Sequence, residues 1–443
     1  MRIKNIKLVH FRQFIDLSIE LPNTNFIVLL GENGVGKTSL IDAISLNLAH
    51  IVGKLCSPID SYEIQSNLLI SDINNQNSSI EIILSMEAFN RSSEISISKE
   101  IDQKGSSYNF NPADTLKDVR RKIKKNEKCH LPLMVYYRVN RTYQIKNQEV
   151  VKPYFNKILE GYRNSFTPKI SAFSNFEHWF IRQENIENQA KIVSRNLDFE
   201  SPVLKMVRSG IISFLNKIDT DNNYTNLRVE RNSETNLVYH SKFKDGNVVL
   251  NKNDKTISIE QLSSGEKMII YLVADIARRL IILNYESEES LLNQGVVLID
   301  ELEMHLHPSW QRNIVSALQY VFPNLLFICS SHSPQVISNL KSECILELEE
   351  NQQIIKSNYQ TLGVDANSLL ETVFDTSDRS NEIKVLIDDF HVAIEKGENL
   401  VEVESKLQAI RDYKSYDNGM LSDSLLDELA ILLSAYKFEM END

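Results

Sequence analysis

Gly31-Glu32-Asn33-Gly34-Val35-Gly36-Lys37-Thr38 has the spacing GxxxxGK[ST], and the fixed positions each have a chemical use. Glycines let the backbone curl so that successive N–H groups face one centre, which suits a chain of phosphates. A helix that begins at the lysine adds the positive end of its dipole. Asn33, Gly34, Gly36, Lys37, Thr38 and Ser39 are therefore the candidate ATP ligands. Lys37 would reach the β- and γ-phosphates, and the Thr38 hydroxyl would hold Mg²⁺. Asp300-Glu301, which ends the apolar run Val297-Leu298-Ile299, supplies the complementary chemistry. Asp300 would orient Mg²⁺ through its water, and Glu301 would polarise the attacking water.

Two more segments can face a phosphate. Leu262-Ser263-Ser264-Gly265-Glu266-Lys267 precedes an apolar-periodic stretch from Met268 to Leu280, which makes a second anion-binding helix end. One ATP needs one phosphate loop, so this second end is expected to face the γ-phosphate held by a neighbouring copy. The same residues also read as an ordinary N-cap with a capping-box glutamate. Ser330-Ser331-His332-Ser333-Pro334 follows the apolar run Leu325–Cys329. Ligand sites of α/β sheets lie at such carboxyl ends, which places His332 against the γ-phosphate or the catalytic water.

These side chains need a sheet to hold them. Gly295–Ile299 and Leu325–Cys329 are short continuous apolar runs, typical of parallel strands covered on both faces; Asn25–Leu30 is a buried run, and Leu131–Tyr137 reads as a further strand. Residues 1–20 and 78–110 alternate instead (Ile80, Ile82, Leu84; Ile95, Ile97), which predicts an antiparallel sheet beside the core. Residues 150–218 read as helices anchored by Phe173, Phe176, Trp179 and Phe180, without a sustained heptad. Strand patterns return at 225–259, and three amphipathic helices are predicted beyond residue 380. Their stripes are Leu386, Phe390 and Ile394; Leu400, Leu407 and Ile410; and Leu425, Leu429 and Leu432. The fold class expected is α/β, a mixed sheet with a phosphate loop, a helical insertion and a C-terminal helical segment.

The net charge is −12, and residues 351–443 account for nearly all of it, with 19 acidic and 8 basic side chains. An acidic tail does not drive non-specific DNA binding. Lys117, Arg120, Arg121, Lys122, Lys124, Lys125 and Lys128 form the one dense basic stretch, readable as a phosphate-backbone contact or as a solvated helix face. Cys56, Cys129, Cys329 and Cys344 are scattered, and no apolar run approaches the ~20 residues that span a bilayer. With no signal-peptide pattern after Met1, a cytoplasmic protein without a membrane partner is expected.

Phosphate loop, Ser-Ser-Gly-Glu helix, Asp-Glu strand and His strand, in that order, resemble the ABC-type ATPase heads of the SMC and RecF group. Asp300-Glu301-Leu302-Glu303-Met304-His305-Leu306-His307-Pro308 resembles the run of a bacterial subgroup that includes overcoming-lysogenisation-defect nucleases and ATPases of anti-phage systems. Tyr136–Arg141, Trp179-Phe180 with Glu184, Glu187 and Asn188, and Tyr359–Asn367 resemble the ATPase subunit of Septu and retron-linked defence systems. The resemblance implies that Ser264 and Gly265 act in trans across a homodimer or higher homo-oligomer, and that His307 lies at its seam. It implies ATP and Mg²⁺ as cofactors and an HNH nuclease subunit as partner, with nucleic acid reached through the complex. It does not place a Q-loop glutamine; Gln144 is the nearest candidate.

Four segments follow: 1–149, an ATPase lobe with the phosphate loop and antiparallel sheet; 150–218, the helical insertion; 219–350, a lobe with signature, Asp-Glu strand and His332; and 351–443, an acidic helical tail for partner or oligomer contacts. A self-contained nuclease would need strands ending in Glu and Asp-x-Asp after the ATPase. Asp388-Asp389 sits mid-helix instead, so the chain is read as an ATPase and not as a nuclease. The alternative function is a RecF- or SMC-like repair ATPase acting directly on DNA.

Overall fold

A computed structural model describes residues 1–56, 68–74, 78–89, 91–102, 105–111, 115–125, 127, 129–139, 157–167, 174–231, 246–285, 287, 289–349, 354–356, 359–374, 381–415 and 425–442. Lys128, Asn140, Arg141, Gln144 and Phe173 lie outside the described residues.

Strands β1 (Arg2–Phe11), β2 (Phe14–Glu20) and β3 (Phe26–Leu30) lead into α1 (Lys37–Cys56). β4 (Ser79–Ala88), β5 (Arg91–Asp102) and β6 (Gly105–Asn111) come next, then α2 (Thr115–Lys124) and β7 (Leu133–Tyr137). The helical insertion is α3 (Ser174–Ser194) and α4 (Pro202–Ile218). β8 (Tyr224–Glu230), β9 (Asn247–Lys252) and β10 (Lys255–Ser258) precede α5 (Ser264–Leu283). Then come β11 (Gly295–Ile299), α6 (Pro308–Val321), β12 (Leu325–Ser330), the one-turn α7 (Pro334–Ile337), β13 (Ile345–Leu348) and β14 (Ile354–Lys356). Last are α8 (Ala366–Thr372), α9 (Asn381–Glu395), α10 (Leu400–Ser415) and α11 (Leu425–Asn442).

The central sheet has the order β14-β13-β3-β12-β11-β7, with only β14 antiparallel to its neighbour. Every residue of β3, β7, β11 and β12 is buried, which is why these strands are apolar without alternation. A second, antiparallel sheet runs β2-β1-β4-β5-β6. Along β4 the buried positions are Ile80, Ile82, Leu84 and Met86, the period of two expected when one face is covered. Helix α1 packs between the two sheets, touching β1, β4 and β5 on one side and β7, β11 and β12 on the other. That position explains its composition. It is long and apolar enough to cross a membrane by length and composition alone, yet nearly all of it is buried in the head. Among the described residues no other helix qualifies. A third small sheet, β10-β9-β8, stands beside the insertion.

The insertion is fastened by aromatics and by ions. Phe176 and Phe180 are fully buried, and Phe176 meets Tyr271 of α5 edge-on at 6.5 Å. Glu184 and Glu187 share Arg208 of α4, at 3.1 and 3.2 Å. Glu184 also accepts from the Val229 N–H of β8 at 2.9 Å and from Arg231 at 3.2 Å. The two glutamates therefore clamp helix to helix and helix to sheet.

Contacts divide the chain into two compact units, 1–365 and 366–443. β14 pairs with β13 inside the first, so residues 354–365, read from sequence as part of the tail, belong with the head. The second unit has its own core of Ile383, Phe390, Ala393, Val403, Leu407, Ile410, Leu425, Leu429, Leu433 and Tyr436. Leu432, expected in this stripe, is 42% exposed, and Leu433 takes the inward position. A helix with leucine at both positions can turn either inward, and Tyr436 three residues on selects Leu433.

Asp275 of α5 is completely buried and receives Arg279 Nε at 2.6 Å, Arg278 Nη2 at 2.8 Å and the Tyr137 hydroxyl at 2.9 Å. Arg279 also donates to the Gly161 and Arg163 carbonyls, both at 2.8 Å. Burial pushes the Asp275 carboxyl up, but the two guanidiniums outweigh it and hold it below its ordinary value. Asp275→Asn should lower unfolding free energy by about 3–5 kcal/mol, since it leaves Arg279 buried without its counter-charge. The sign with pH follows from the depressed pKa. The stabilisation is present above about pH 4 and is lost as pH falls through the folded value. Urea titrations of both proteins should show the gap at pH 7 and its narrowing in acid.

Candidate functional site

Helix α1 begins at Lys37, directly after the turn that leaves the carboxyl end of β3, so the glycine loop wraps a helix N-terminus. Gly36 has φ +108, and a Cβ there would lie 1.8 Å from the Gln13 amide nitrogen. No other residue fits both the backbone and the space. The Lys37 ammonium lies under the loop, donating to the Gly31 and Glu32 carbonyls at 2.7 and 2.6 Å. Burial lowers its pKa, against the opposing pull of Asp300, Glu301, Glu303 and Glu32.

Asp300 follows the end of β11 and is buried. Its carboxylate accepts from the Thr38 hydroxyl at 3.0 and 3.2 Å and from the Ser330 hydroxyl at 2.5 Å. Ser330 in turn accepts from the Glu301 N–H at 2.8 Å. Glu301 has φ +51, a conformation that side chains other than glycine seldom adopt, and this bond helps hold it there. The His332 N–H donates to Glu303 Oε1. Burial and Lys37 lower the His332 pKa against Glu303, Glu301 and Asp300. The imidazole is therefore neutral at physiological pH and can accept as well as donate.

These residues line one cleft of about 190 Å³: Gln13, Asn33, Gly34, Gly36, Lys37, Thr38, Ser39, Asp300, Glu301, Ser330 and His332. The sequence reading placed all of them except Gln13 and Ser330. Gln13 comes from the two-residue turn between β1 and β2, and its carbonyl accepts from Ser39 Oγ at 3.2 Å. A larger, open cleft of about 450 Å³ involves Arg2, Asn25, Gln294 and Asn324, at the amino ends of the parallel strands. Ligands of open α/β sheets bind at the carboxyl ends, which is where the smaller cleft lies.

Thr38 Oγ1 and the Asp300 carboxylate are adjacent oxygen donors, the set a hard cation prefers. Among the described residues no cluster of three or more His, Cys, Asp or Glu could hold a metal. That donor set fits Mg²⁺, which is bound through one or two protein oxygens together with waters and nucleotide phosphates.

Ser264 and Gly265 are outside the lining of this cleft. Ser263 is the N-cap of α5, accepting from the Glu266 N–H at 3.2 Å while Glu266 accepts from the Ser263 N–H at 2.9 Å. Ser264 is exposed at the first helical position, with its backbone beyond the cap. Gly265 is buried, and a Cβ there would lie 2.0 Å from the His305 carbonyl of the same chain. His307 is exposed and caps α6, its Nδ1 2.8 Å from Ser309 Oγ.

The family model described as "AAA domain, putative AbiEii toxin, Type IV TA system" matches residues 26–338. The chain is 30% identical over 443 residues to Retron Vc95 probable ATPase of Vibrio cholerae serotype O1 biovar El Tor, covering 90% of this chain and 84% of that protein. It is 30% identical over 436 residues to Retron Ec83 probable ATPase of Escherichia coli, covering 87% and 78%. Septu protein PtuA of Bacillus mycoides (strain KBAB4) is 23% identical over 408 residues, covering 86% of this chain and 46% of that protein. The chain belongs to this AAA-domain family together with the retron ATPases. Its mixed sheet with a phosphate loop, a helical insertion and a C-terminal helical segment is the α/β architecture expected from the sequence.

Lys37→Ala should abolish binding of ATP and Mg²⁺ measured by titration calorimetry, because among the described residues Lys37 supplies the one ammonium in the cleft's lining. Gly265→Ala should instead lower the melting temperature while leaving its own chain's cleft lining in place, since its new methyl meets backbone. Equal ATP affinity in wild type and the Lys37 variant would contradict the site.

Proposed function

We propose that this chain binds ATP with Mg²⁺ and hydrolyses it in a site completed by a second copy, and that the resulting head-to-head association controls a separately encoded HNH nuclease in defence against phage. The observation that carries this reading is the division of the phosphate-binding groups. Loop, carboxylates and His332 converge on one cleft, while the exposed helix end at Ser264 takes no part in that lining.

In this reading Lys37 and the loop N–H groups hold the phosphates, and Thr38 and Asp300 hold Mg²⁺, with Asp300 acting directly or through a water. Mg²⁺ neutralises charge developing on the β- and γ-oxygens. Glu301 polarises the water that attacks phosphorus, and the neutral His332 hydrogen-bonds the γ-phosphate or that water. Ser264 and Gly265 of the other copy close the site. Membership beside retron ATPases supports the defence role, and the acidic second unit suits a basic partner surface.

One observation favours the second reading, direct action on DNA. Helix α2 buries Leu116, Val119 and Ile123 and so leaves Lys117, Arg121, Lys122, Lys124 and Lys125 on an exposed face. Stimulation of ATPase activity by duplex DNA in the absence of any partner would favour it.

Glu301→Gln should keep ATP binding and lower turnover by about 100-fold or more, because an amide cannot serve as base. Ser264→Arg should also stop turnover while each copy still binds ATP. A mixture of the two variants forms heterodimers in which one site carries both lesions and the other carries neither. Phosphate release from the mixture should therefore exceed that of either variant alone. No recovery, with subunit exchange confirmed by differently labelled chains, would rule out catalysis in trans.

A further inference from the structure

The end of α3 and the turn that follows it carry the two most exposed large hydrophobic side chains among the described residues, Val193 at 85% and Leu197 at 80%. Ile192 at 74% is beside them, and Ile186 at 50% lies seven residues before Val193 on the same helix face. Phe176, Phe180, Glu184 and Glu187 bury one face of α3, and the exposed aliphatic side chains lie on the rest of its C-terminal half.

The turn itself is firmly built. The Asn196 N–H bonds the Lys191 carbonyl at 3.1 Å and the Arg195 N–H bonds the Ile192 carbonyl at 3.3 Å. Arg195 stands at φ +53, the left-handed residue of a helix C-cap. The Asp198 N–H bonds Asn196 Oδ1 at 3.1 Å, and the Ser201 N–H bonds the buried Glu187 at 2.7 Å. A patch of aliphatic side chains on so well-bonded a turn is a presented surface, of the kind that marks an interaction site.

Its charges say what covers it. Lys191 is paired with Glu187, and Glu200 with Arg208. Arg195 and Asp198 are exposed on either side of Leu197, and neither enters an ion pair among the described residues. In a two-fold contact residue i meets j while j meets i. A patch with one cation and one anion beside an apolar centre is thus complementary to a second copy of itself. A partner surface of single sign would repel one of the two.

We propose that this turn is a self-association surface: two copies pack Ile192, Val193 and Leu197 together about a two-fold axis, with Arg195 of each facing Asp198 of the other. The patch is smaller than the roughly 1,000 Å² of total buried area that a stand-alone interface needs. It therefore acts between chains that high concentration or another contact already brings together. Its residues are separate from those of the nucleotide cleft, so two different two-fold contacts would link copies into assemblies larger than a dimer.

Sedimentation velocity over a concentration series of the full chain tests this, with and without ATP and Mg²⁺. The double variant Val193→Ser/Leu197→Ser, and Arg195→Glu and Asp198→Arg singly, should each raise the concentration at which the larger species forms by about ten-fold or more. Arg195→Glu combined with Asp198→Arg restores opposite charges across the axis and should return assembly to near the wild-type range. Unchanged melting temperatures confirm that the exposed substitutions leave the fold intact. As a second measurement, Val193→Cys should give a covalent dimer with a short bis-maleimide that wild type does not give. Wild-type assembly in the serine variant, no recovery in the charge swap, or no cross-link at position 193 would each overturn the proposal. A failed ATP-binding assay would leave it standing, because these readouts do not pass through the nucleotide cleft.

Discussion

The Asp300 carboxylate is where separate parts of the head meet. Thr38 brings the start of α1 to it, Ser330 brings the end of β12, and the Asp300 N–H bonds the Tyr137 carbonyl at the end of β7 at 2.9 Å. A carboxylate buried at such a junction is costly unless compensated, and a cation is its natural complement. The fold accepts that arrangement because β7, β11 and β12 are adjacent and parallel, so their carboxyl ends arrive at one level. Helix α1, which carries the phosphate loop, lies between two sheets and is therefore buried nearly all round. In the function proposed here, Mg²⁺ and the nucleotide supply the positive charge and the phosphates that this junction is shaped to receive.

Helix α5 is held at both of its functional ends. Its first turn is pressed against the His305 carbonyl by the absence of a side chain on Gly265, so the helix end and the loop after Asp300-Glu301 keep one spacing. Further along, Tyr271 packs on Phe176 and donates to Glu177 of α3, while Asp275 and Arg279 fasten it to Tyr137 and to the 161–163 turn. A shift of the insertion would thus be felt at Ser264. The helix end that we place opposite another copy's nucleotide is part of a rigid connection to the helical hairpin.

Much of this could be read in the residues. GxxxxGK[ST] and Asp-Glu after an apolar run describe local backbone requirements, and the structure places them in one cleft. The continuous runs of β3, β11 and β12 and the alternation in β4 reported burial on two faces and on one. Gln13 escaped, because it reaches the cleft from a two-residue turn distant in sequence, and glutamine in a turn has no spacing rule. Ser330 was legible as a neighbour of His332, but its bridge between Asp300 and the Glu301 N–H depends on strand register. Glu184 and Glu187 were singled out by resemblance, and the structure shows them as a clamp around Arg208. Leu432 and Leu433 could not be separated by periodicity, since both positions continue a stripe from Leu425 and Leu429. Residues 354–365 looked like tail because strand β14 is only three residues long.

The central claim is that one copy cannot hydrolyse ATP alone, and the dependence of turnover on protein concentration tests it most directly. Phosphate release per chain, at saturating ATP and Mg²⁺, should rise with protein concentration when the chain is dilute and level off as pairs saturate. The midpoint of that rise should coincide with the midpoint of nucleotide-dependent association measured by light scattering on the same samples. A rate per chain that stays constant down to concentrations at which the protein is monomeric would contradict the account.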